Sequence, residues 1–113
     1  MTTTKVLIVE DYAPLADTLE YQLKRAGYEV SRAADGREAV NMAKLTLPDV
    51  IILDVDLPIL SGIEVCRLVR NDPSTKDTLI LMLSAMGEES DQMVGFAMGA
   101  DDYVVTPVES YKV

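Results

Sequence analysis

The stretch DVIILDVDLP, residues 49–58, decides the fold of this chain. The four residues before Asp54 are branched and apolar, and they lead directly into its carboxylate. A short continuous apolar run predicts a strand that is buried on both faces of a parallel sheet. A second acid, Asp56, and then Pro58 follow, and they predict a loop. The sequence therefore predicts a buried strand that ends at Asp54, which is a candidate cap, metal ligand or nucleophile.

Composition limits the kinds of protein this chain can be. Its 113 residues, 49% of them hydrophobic, suit one domain over residues 1–113. A net charge of −9 argues against direct contact with nucleic acid, and the absence of histidine excludes Ser-His-Asp catalysis and histidine metal sites. No apolar run reaches the ~20 residues of a membrane span, and we find no signal-peptide pattern. The single cysteine, Cys66, is expected to be a small buried core residue. Because one cysteine cannot form an internal disulfide, the chain fits the reducing cytosol, and these features together predict a cytoplasmic protein.

Strand and helix patterns alternate along the chain. Apolar runs predict five strands, at residues 5–10, 28–33, 50–54, 79–83 and 103–105. Helices are predicted between them, with Pro14 in the first turn of the first, capping boxes at residues 35–38 and 61–64, and a fourth helix at 88–98. This alternation predicts an α/β fold with a doubly wound, five-stranded parallel sheet, for which 2-1-3-4-5 is a common strand order.

Acidic side chains come at the ends of two strands that this order makes neighbours. The predicted first strand ends at Glu10-Asp11, and the third ends at Asp54. Neighbouring strands lie ~4.8 Å apart, so these carboxylates should converge at the crevice beyond the carboxyl ends of the strands. Clustered carboxylates repel one another unless a cation is present, and an all-oxygen ligand set suits Mg²⁺. Ser84 and Thr106, which end the fourth strand and follow the fifth, should lie at the same edge.

The residues alone leave several interpretations of these acids open. Each acid taken singly is more often a helix cap or a turn residue, since Asp11 precedes a helix and Asp56 precedes a turn. Taken together, they favour a joint site, either a cation store or a phosphoryl-transfer centre. Two features favour the latter: Asp54 is held on a stiff buried strand, and Ser84 offers a hydroxyl to a phosphoryl oxygen.

Four segments resemble the receiver domains of two-component response regulators: VLIVED (6–11), IILDVDLP (51–58), LMLSA (81–85) and GADDYVV (99–105). The resemblance covers essentially residues 4–110 and implies a flavodoxin-like fold. The longer segment GEESDQMVGFAMGADDYVV, residues 87–105, is similar to receivers attached to winged-helix DNA-binding domains, which implies a role in transcription regulation.

The resemblance implies a role for each acid. Asp54 would accept a phosphoryl group from the phosphohistidine of a histidine kinase. Glu10, Asp11 and Asp54 would hold Mg²⁺, and Asp56 would contribute its backbone carbonyl. The protein would then be a phosphorelay component and not an enzyme, apart from its own phosphoryl acceptance and hydrolysis.

The resemblance also implies how the signal leaves the site. Ser84 would donate a hydrogen bond to the phosphoryl oxygen and move inward, and the ring of Tyr103 would follow it, although packing at a strand edge explains that ring equally well. The output surface would comprise the helix at 88–98 and the fifth strand. That surface would form a homodimer or contact an attached output domain.

Two departures from the family pattern stand out. The family has a lysine before the proline after the fifth strand, whereas this chain has Thr106, so the pocket lacks one positive charge. We expect Mg²⁺ still to bind, and phosphorylation to be slower or to fail to switch the output surface. The family also closes with a fifth helix of about three turns. Here VESYKV, residues 108–113, allows about one turn, so we expect a truncated or missing fifth helix, either because the chain is an N-terminal fragment or because another copy covers the sheet.

Two other functions compete with the phospho-acceptor. One is a pseudo-receiver, a protein-binding module that works without phosphorylation, which the absence of the lysine favours. The other is an aspartate-nucleophile phosphatase, because DVDLP at 54–58 contains the D-x-D pattern of those enzymes. Such phosphatases carry the motif on their first strand and need a lysine at the phosphate, and this chain has neither feature.

Overall fold

The computed structural model describes residues 3–55, 57–84 and 99–105. Within them the elements alternate: β1 Lys5–Val9, α1 Ala13–Arg25, β2 Glu29–Ala33, α2 Gly36–Thr46, β3 Val50–Asp54, α3 Gly62–Asn71, β4 Leu79–Ser84 and β5 Asp102–Val105. The strands form one parallel sheet in the order β2-β1-β3-β4-β5. The predicted fold and strand order are confirmed. The helix predicted at 88–98 lies outside the described residues, and so do residues 108–113, where we expect a truncated or missing fifth helix.

The core lies between the sheet and helices α2 and α3. The three central strands contribute alternate residues to it, namely Leu7, Val9, Ile51, Leu53, Ile80 and Met82. Alternation along β1 turns Val6 and Ile8 to the other face, where they are also buried. Helix α1 contacts β1 and β2 and buries Leu15 and Ala16. Helices thus cover both faces, which explains why the three central strands are almost continuously apolar.

Both predicted capping boxes open a helix directly after a loop at the carboxyl edge of the sheet. The Asp35 carboxylate accepts a hydrogen bond from the backbone N–H of Glu38 at 2.8 Å, and α2 begins there. The Ser61 hydroxyl accepts one from the backbone N–H of Glu64 at 3.2 Å, and α3 begins there. These caps satisfy amide groups that have no partner within the helix, and so they fix the starting points of α2 and α3.

The structure bears on the single cysteine and on the question of a membrane span. Cys66 is fully buried in α3, and burial raises the pKa of its thiol, so it is a core residue as predicted. None of the helices in the described ranges is both long enough and apolar enough to cross a bilayer.

Candidate metal centre

Three carboxylates meet where β1 and β3 end. Glu10 and Asp11 directly follow β1, and Asp54 is the last residue of β3. One carboxylate oxygen of each residue lies within 4.8 Å of the others. The sheet register explains this convergence, because Val9 pairs with Leu53 and the residues that follow them leave the sheet side by side. The structure thus brings together the three acids that the sequence places at one edge.

The cluster is largely buried, and its charges interact. Glu10 is 5% exposed and Asp54 is 4% exposed, whereas Asp11 is exposed. Burial raises the pKa of Glu10 to about 8, and the Asp54 carboxylate adds to this rise. A hydrogen bond from the backbone N–H of Tyr12 to Glu10 Oε2, at 2.9 Å, acts in the opposite direction. Because buried like charges repel one another, the ionised cluster is stabilised by a cation, and its oxygen donors suit Mg²⁺.

Helix capping does not explain Asp11. The N-cap residue of α1 is Tyr12, whose side chain makes no capping hydrogen bond, and a proline occupies the first turn. Proline lacks an N–H group, so one of the amides that a cap would satisfy is absent. Asp11 therefore belongs with the other two carboxylates rather than with the end of the helix.

The chain after Asp54 returns to pack against the Asp54 backbone. The N–H of Gly62 donates to the carbonyl of Val55 at 2.9 Å. A Cβ atom at Gly62 would collide with the carbonyl oxygen of Asp54, so only glycine allows α3 to begin this close. Gly62 is not among the site residues that the sequence predicts. The sequence nevertheless contains a hint of its role. Gly62 is the first residue after the Ser61 cap, and glycine is a poor helix former, so its presence there indicates that a side chain would not fit.

The same loop is braced against α2. The N–H of Leu60 donates to the carbonyl of Pro58 at 2.8 Å, which closes a tight turn around Ile59. Ile59 has a φ of +73°, an uncommon conformation for a β-branched residue. The N–H of Gly36, the first residue of α2, donates to the same carbonyl at 3.3 Å, and a Cβ at Gly36 would collide with Leu60. The loop that follows the acid cluster is therefore held at two points.

The other predicted site residues are only partly described. Ser84 ends β4, the strand next to the one that Asp54 ends, so its backbone lies at the predicted edge. Tyr103 is the second residue of β5. The side chains of Ser84 and Tyr103 are outside the described part of the chain, and Asp56 and Thr106 lie entirely outside it.

Known proteins share both the sequence and the fold. The family model for the response regulator receiver domain matches residues 6–113. The phosphate regulon transcriptional regulatory protein PhoB of Rhizobium meliloti is 48% identical over 103 residues, which are 91% of this chain and 45% of that protein. A putative response regulator from Chloroflexus aurantiacus has a TM-score of 0.89 at 45% identity, covering 94% of this chain and 87% of the other.

A second solved structure bears on the acid cluster. The receiver domain of a sensor histidine kinase from Pseudomonas aeruginosa has a TM-score of 0.86 at 30% identity, covering 94% of this chain and 87% of the other. That structure has a magnesium ion coordinated in its active-site cleft. The chain spans only 41% to 45% of the length of the first curated relatives it matches, which are transcriptional regulators. It belongs to the family of response regulator receiver domains of two-component signalling.

Proposed function

We propose that this receiver domain accepts a phosphoryl group from the phosphohistidine of a histidine kinase onto Asp54. The observation that carries the proposal is the carboxylate cluster, in which Glu10, Asp11 and Asp54 each place an oxygen within 4.8 Å of the others. A bond would form between an Asp54 oxygen and phosphorus as the phosphorus–nitrogen bond breaks, and the imidazole nitrogen would keep that electron pair. The stiff strand β3 and the contact with Gly62 would hold Asp54 in one orientation for this attack.

Mg²⁺ is the cation that the proposal assigns to the cluster. Its protein ligands would be the side chains of Glu10, Asp11 and Asp54, with the backbone carbonyl of Asp56. When bound, it supplies positive charge to the oxygens of the phosphoryl group. The donor set fits this ion, because it contains only oxygen atoms and includes an exposed acid, Asp11, beside two buried ones.

Three further residues would respond to the phosphoryl group. Ser84 would donate a hydrogen bond to it, Tyr103 would act as the switch aromatic, and Thr106 stands where the family has a lysine. A threonine hydroxyl can donate one hydrogen bond but carries no charge. Phosphorylation should therefore be slower than in receivers that have the lysine, or should fail to switch the output surface.

The proposal extends to the domain as a whole and to its output surface. Residues 1–113 would form a single receiver domain. Its output surface, the predicted helix at 88–98 with β5, would form a homodimer or contact an attached output domain that regulates transcription, the function named for the matched relatives. The charge of −9 argues against direct contact between this domain and nucleic acid.

Acetyl phosphate with Mg²⁺, followed by intact-mass spectrometry, tests the proposal. The wild type should gain the mass of one phosphoryl group and Asp54→Asn should gain none. Asp56→Asn is the matched control, because it changes a neighbouring acid yet keeps the backbone carbonyl, and it should still be phosphorylated. A folded wild type that gains no mass would support the second candidate, the phosphorylation-independent pseudo-receiver, which Thr106 favours.

Restoring the family lysine at position 106 tests whether its absence slows phosphorylation. Thr106→Lys should accelerate the mass gain by roughly tenfold, since a lysine ammonium interacts with the phosphoryl charge. Thr106→Val, which removes the hydroxyl at nearly constant volume, is its control and should not accelerate the reaction. Equal rates for the wild type and Thr106→Lys would show that the missing lysine does not limit phosphorylation.

A further inference from the structure

Strand β5 is a short edge strand of the sheet. It has four residues and, as an edge strand, pairs only with β4. Short strands with one neighbour have few hydrogen bonds to fix their register, and a slip of one residue turns every side chain to the opposite face. The proposed function places Tyr103 on β5 and Thr106 directly after it. The position at which β5 begins therefore determines where the backbone of Tyr103 lies relative to Asp54.

Arg70, in the last turn of α3, binds two separate backbone segments, the one that leads into β4 and the one that leads into β5. Its Nε donates to the carbonyl of Gly99 at 2.8 Å. Its Nη1 donates to the carbonyls of Lys76, at 2.8 Å, and Thr78. Its Nη2 donates to the carboxylate of Asp101 at 2.6 Å. The side chain is only 21% exposed, so these bonds are partly shielded from water.

Asp101 links Arg70 to strand β4 of the sheet. Its backbone N–H donates to the carbonyl of Ile80 at 2.9 Å. Its carboxylate accepts a hydrogen bond from the N–H of the same Ile80 at 2.8 Å, while it also binds Arg70. Both backbone groups of one β4 residue are thus satisfied by the residue that directly precedes β5. This arrangement fixes the β4–β5 register, in which Leu81 pairs with Asp102.

The chain passes Arg70 at a glycine. Gly99 has a φ of +107°, a conformation that other residues rarely adopt. A Cβ atom at this position would lie 2.8 Å from Arg70 Cγ, closer than real side chains approach. Gly99 therefore allows both the turn and the close passage of the arginine side chain.

We propose that Arg70 is a positioning residue of the phosphoryl site, because it fixes where β5 begins and thereby the pairing of Tyr103 with Met82 of β4. This inference rests on the proposed function. The proposed Mg²⁺ side-chain ligands follow β1 or end β3, which Arg70 does not hold, so loss of Arg70 should impair phosphoryl recognition and spare metal binding. Lysine cannot replace it, because only the planar guanidinium supplies several donors in fixed directions.

Beryllofluoride, a phosphoryl mimic, tests this separation. At saturating Mg²⁺ and at a temperature where all proteins are folded, Arg70→Met should lower beryllofluoride affinity by about fivefold or more, while Mg²⁺ affinity stays within about twofold. Arg70→Lys should not restore that affinity. The matched control is Arg67→Met on the same helix, whose side chain pairs with Glu64, and it should change neither affinity. Asp101→Asn keeps an oxygen acceptor for the N–H of Ile80 and should lower beryllofluoride affinity by less than Arg70→Met does. It replaces Arg70→Met in the test if that variant does not fold.

The outcomes distinguish the two proposals. A wild type that binds Mg²⁺ but not beryllofluoride would overturn the proposed function and this inference with it. A wild type that binds both, with Arg70→Met and Asp101→Asn binding beryllofluoride equally well, would overturn the inference alone. A parallel loss of Mg²⁺ and beryllofluoride affinity would also overturn it, because Arg70 would then act on the whole fold.

Discussion

Glu10 should make Mg²⁺ binding depend on pH near neutrality. Burial, with a contribution from Asp54, raises the pKa of this carboxyl to about 8, so in the metal-free protein it is mostly protonated at pH 7. Binding must displace that proton, because a metal ligand must be ionised. Mg²⁺ affinity should therefore rise with pH, by up to about tenfold per unit below pH 8, and level off above it. Isothermal titration calorimetry at pH 6, 7 and 8.5 measures this dependence.

Proton counting provides the control for that prediction. Calorimetry at pH 7 in buffers of different ionisation enthalpy should show about one proton released per Mg²⁺ bound. Glu10→Gln cannot ionise, so it should bind more weakly and release almost no proton. An affinity that is constant from pH 6 to 8.5 in the wild type would contradict the role assigned to Glu10.

Gly62→Ala should be destabilising although it replaces a glycine in a helix. Alanine normally stabilises a helix by about 1 kcal/mol relative to glycine. Here its Cβ would collide with the carbonyl of Asp54, and forced overpacking costs about 1–3 kcal/mol. Because the clash is with backbone atoms, the cost should be at the upper end of that range, so we expect a net loss of roughly 2 kcal/mol in the free energy of unfolding. Mg²⁺ affinity should also fall, because the Asp54 backbone must shift. Denaturant titration and calorimetry measure the two effects.

Gly27→Ala is the matched control for that substitution. Gly27 has a φ of +98°, so alanine there is strained, yet no atom lies within 4 Å of the added carbon. This variant should lose about 1–2 kcal/mol of stability while Mg²⁺ affinity stays unchanged. If Gly62→Ala also leaves Mg²⁺ affinity unchanged, the contact between α3 and Asp54 does not position the acid.

At the scale of elements, the cap of α2 should contribute measurably to stability. Asp35→Ala removes the acceptor for the Glu38 N–H and should cost about 1 kcal/mol. Asp35→Asn keeps an acceptor oxygen and should cost less than half of that. Urea unfolding midpoints of the wild type and the two variants measure these losses of stability. Equal losses for both variants would show that α2 is stabilised by the negative charge near its N-terminus and not by the hydrogen bond.

The sequence predicted elements whose signal is local. The apolar strands, the caps at Asp35 and Ser61, and the meeting of Glu10, Asp11 and Asp54 followed from periodicity, capping chemistry and the strand order. Each depends on residues close in sequence or on the general rules of parallel sheets. For that reason the fold and the meeting of these three acids could be predicted from the sequence alone.

Contacts between distant segments could not be predicted in this way. Gly62 and Gly36 matter because another backbone passes close to them, and nothing in a single sequence states which backbone that is. From the sequence alone, Arg70 is an ordinary basic residue in the last turn of a helix, where it would be expected to interact with the helix dipole. Its partners Gly99 and Asp101 lie 29 and 31 residues away, so only the fold reveals that it holds the start of β5.

For the whole molecule, Mg²⁺ should raise thermal stability beyond the general effect of salt. The net charge of −9 means that any added salt screens repulsion and stabilises the domain somewhat. A specific site adds a saturable increment of about 2.7 kcal/mol at 100 times the dissociation constant, which is roughly 10–20 °C in Tm for a domain of this size. Melting curves in MgCl₂ and in NaCl of matched ionic strength separate the two effects, and Asp11→Asn, an exposed change at the cluster, should remove most of the Mg²⁺-specific part. Equal Tm values in the two salts would mean that the three carboxylates do not form a magnesium site.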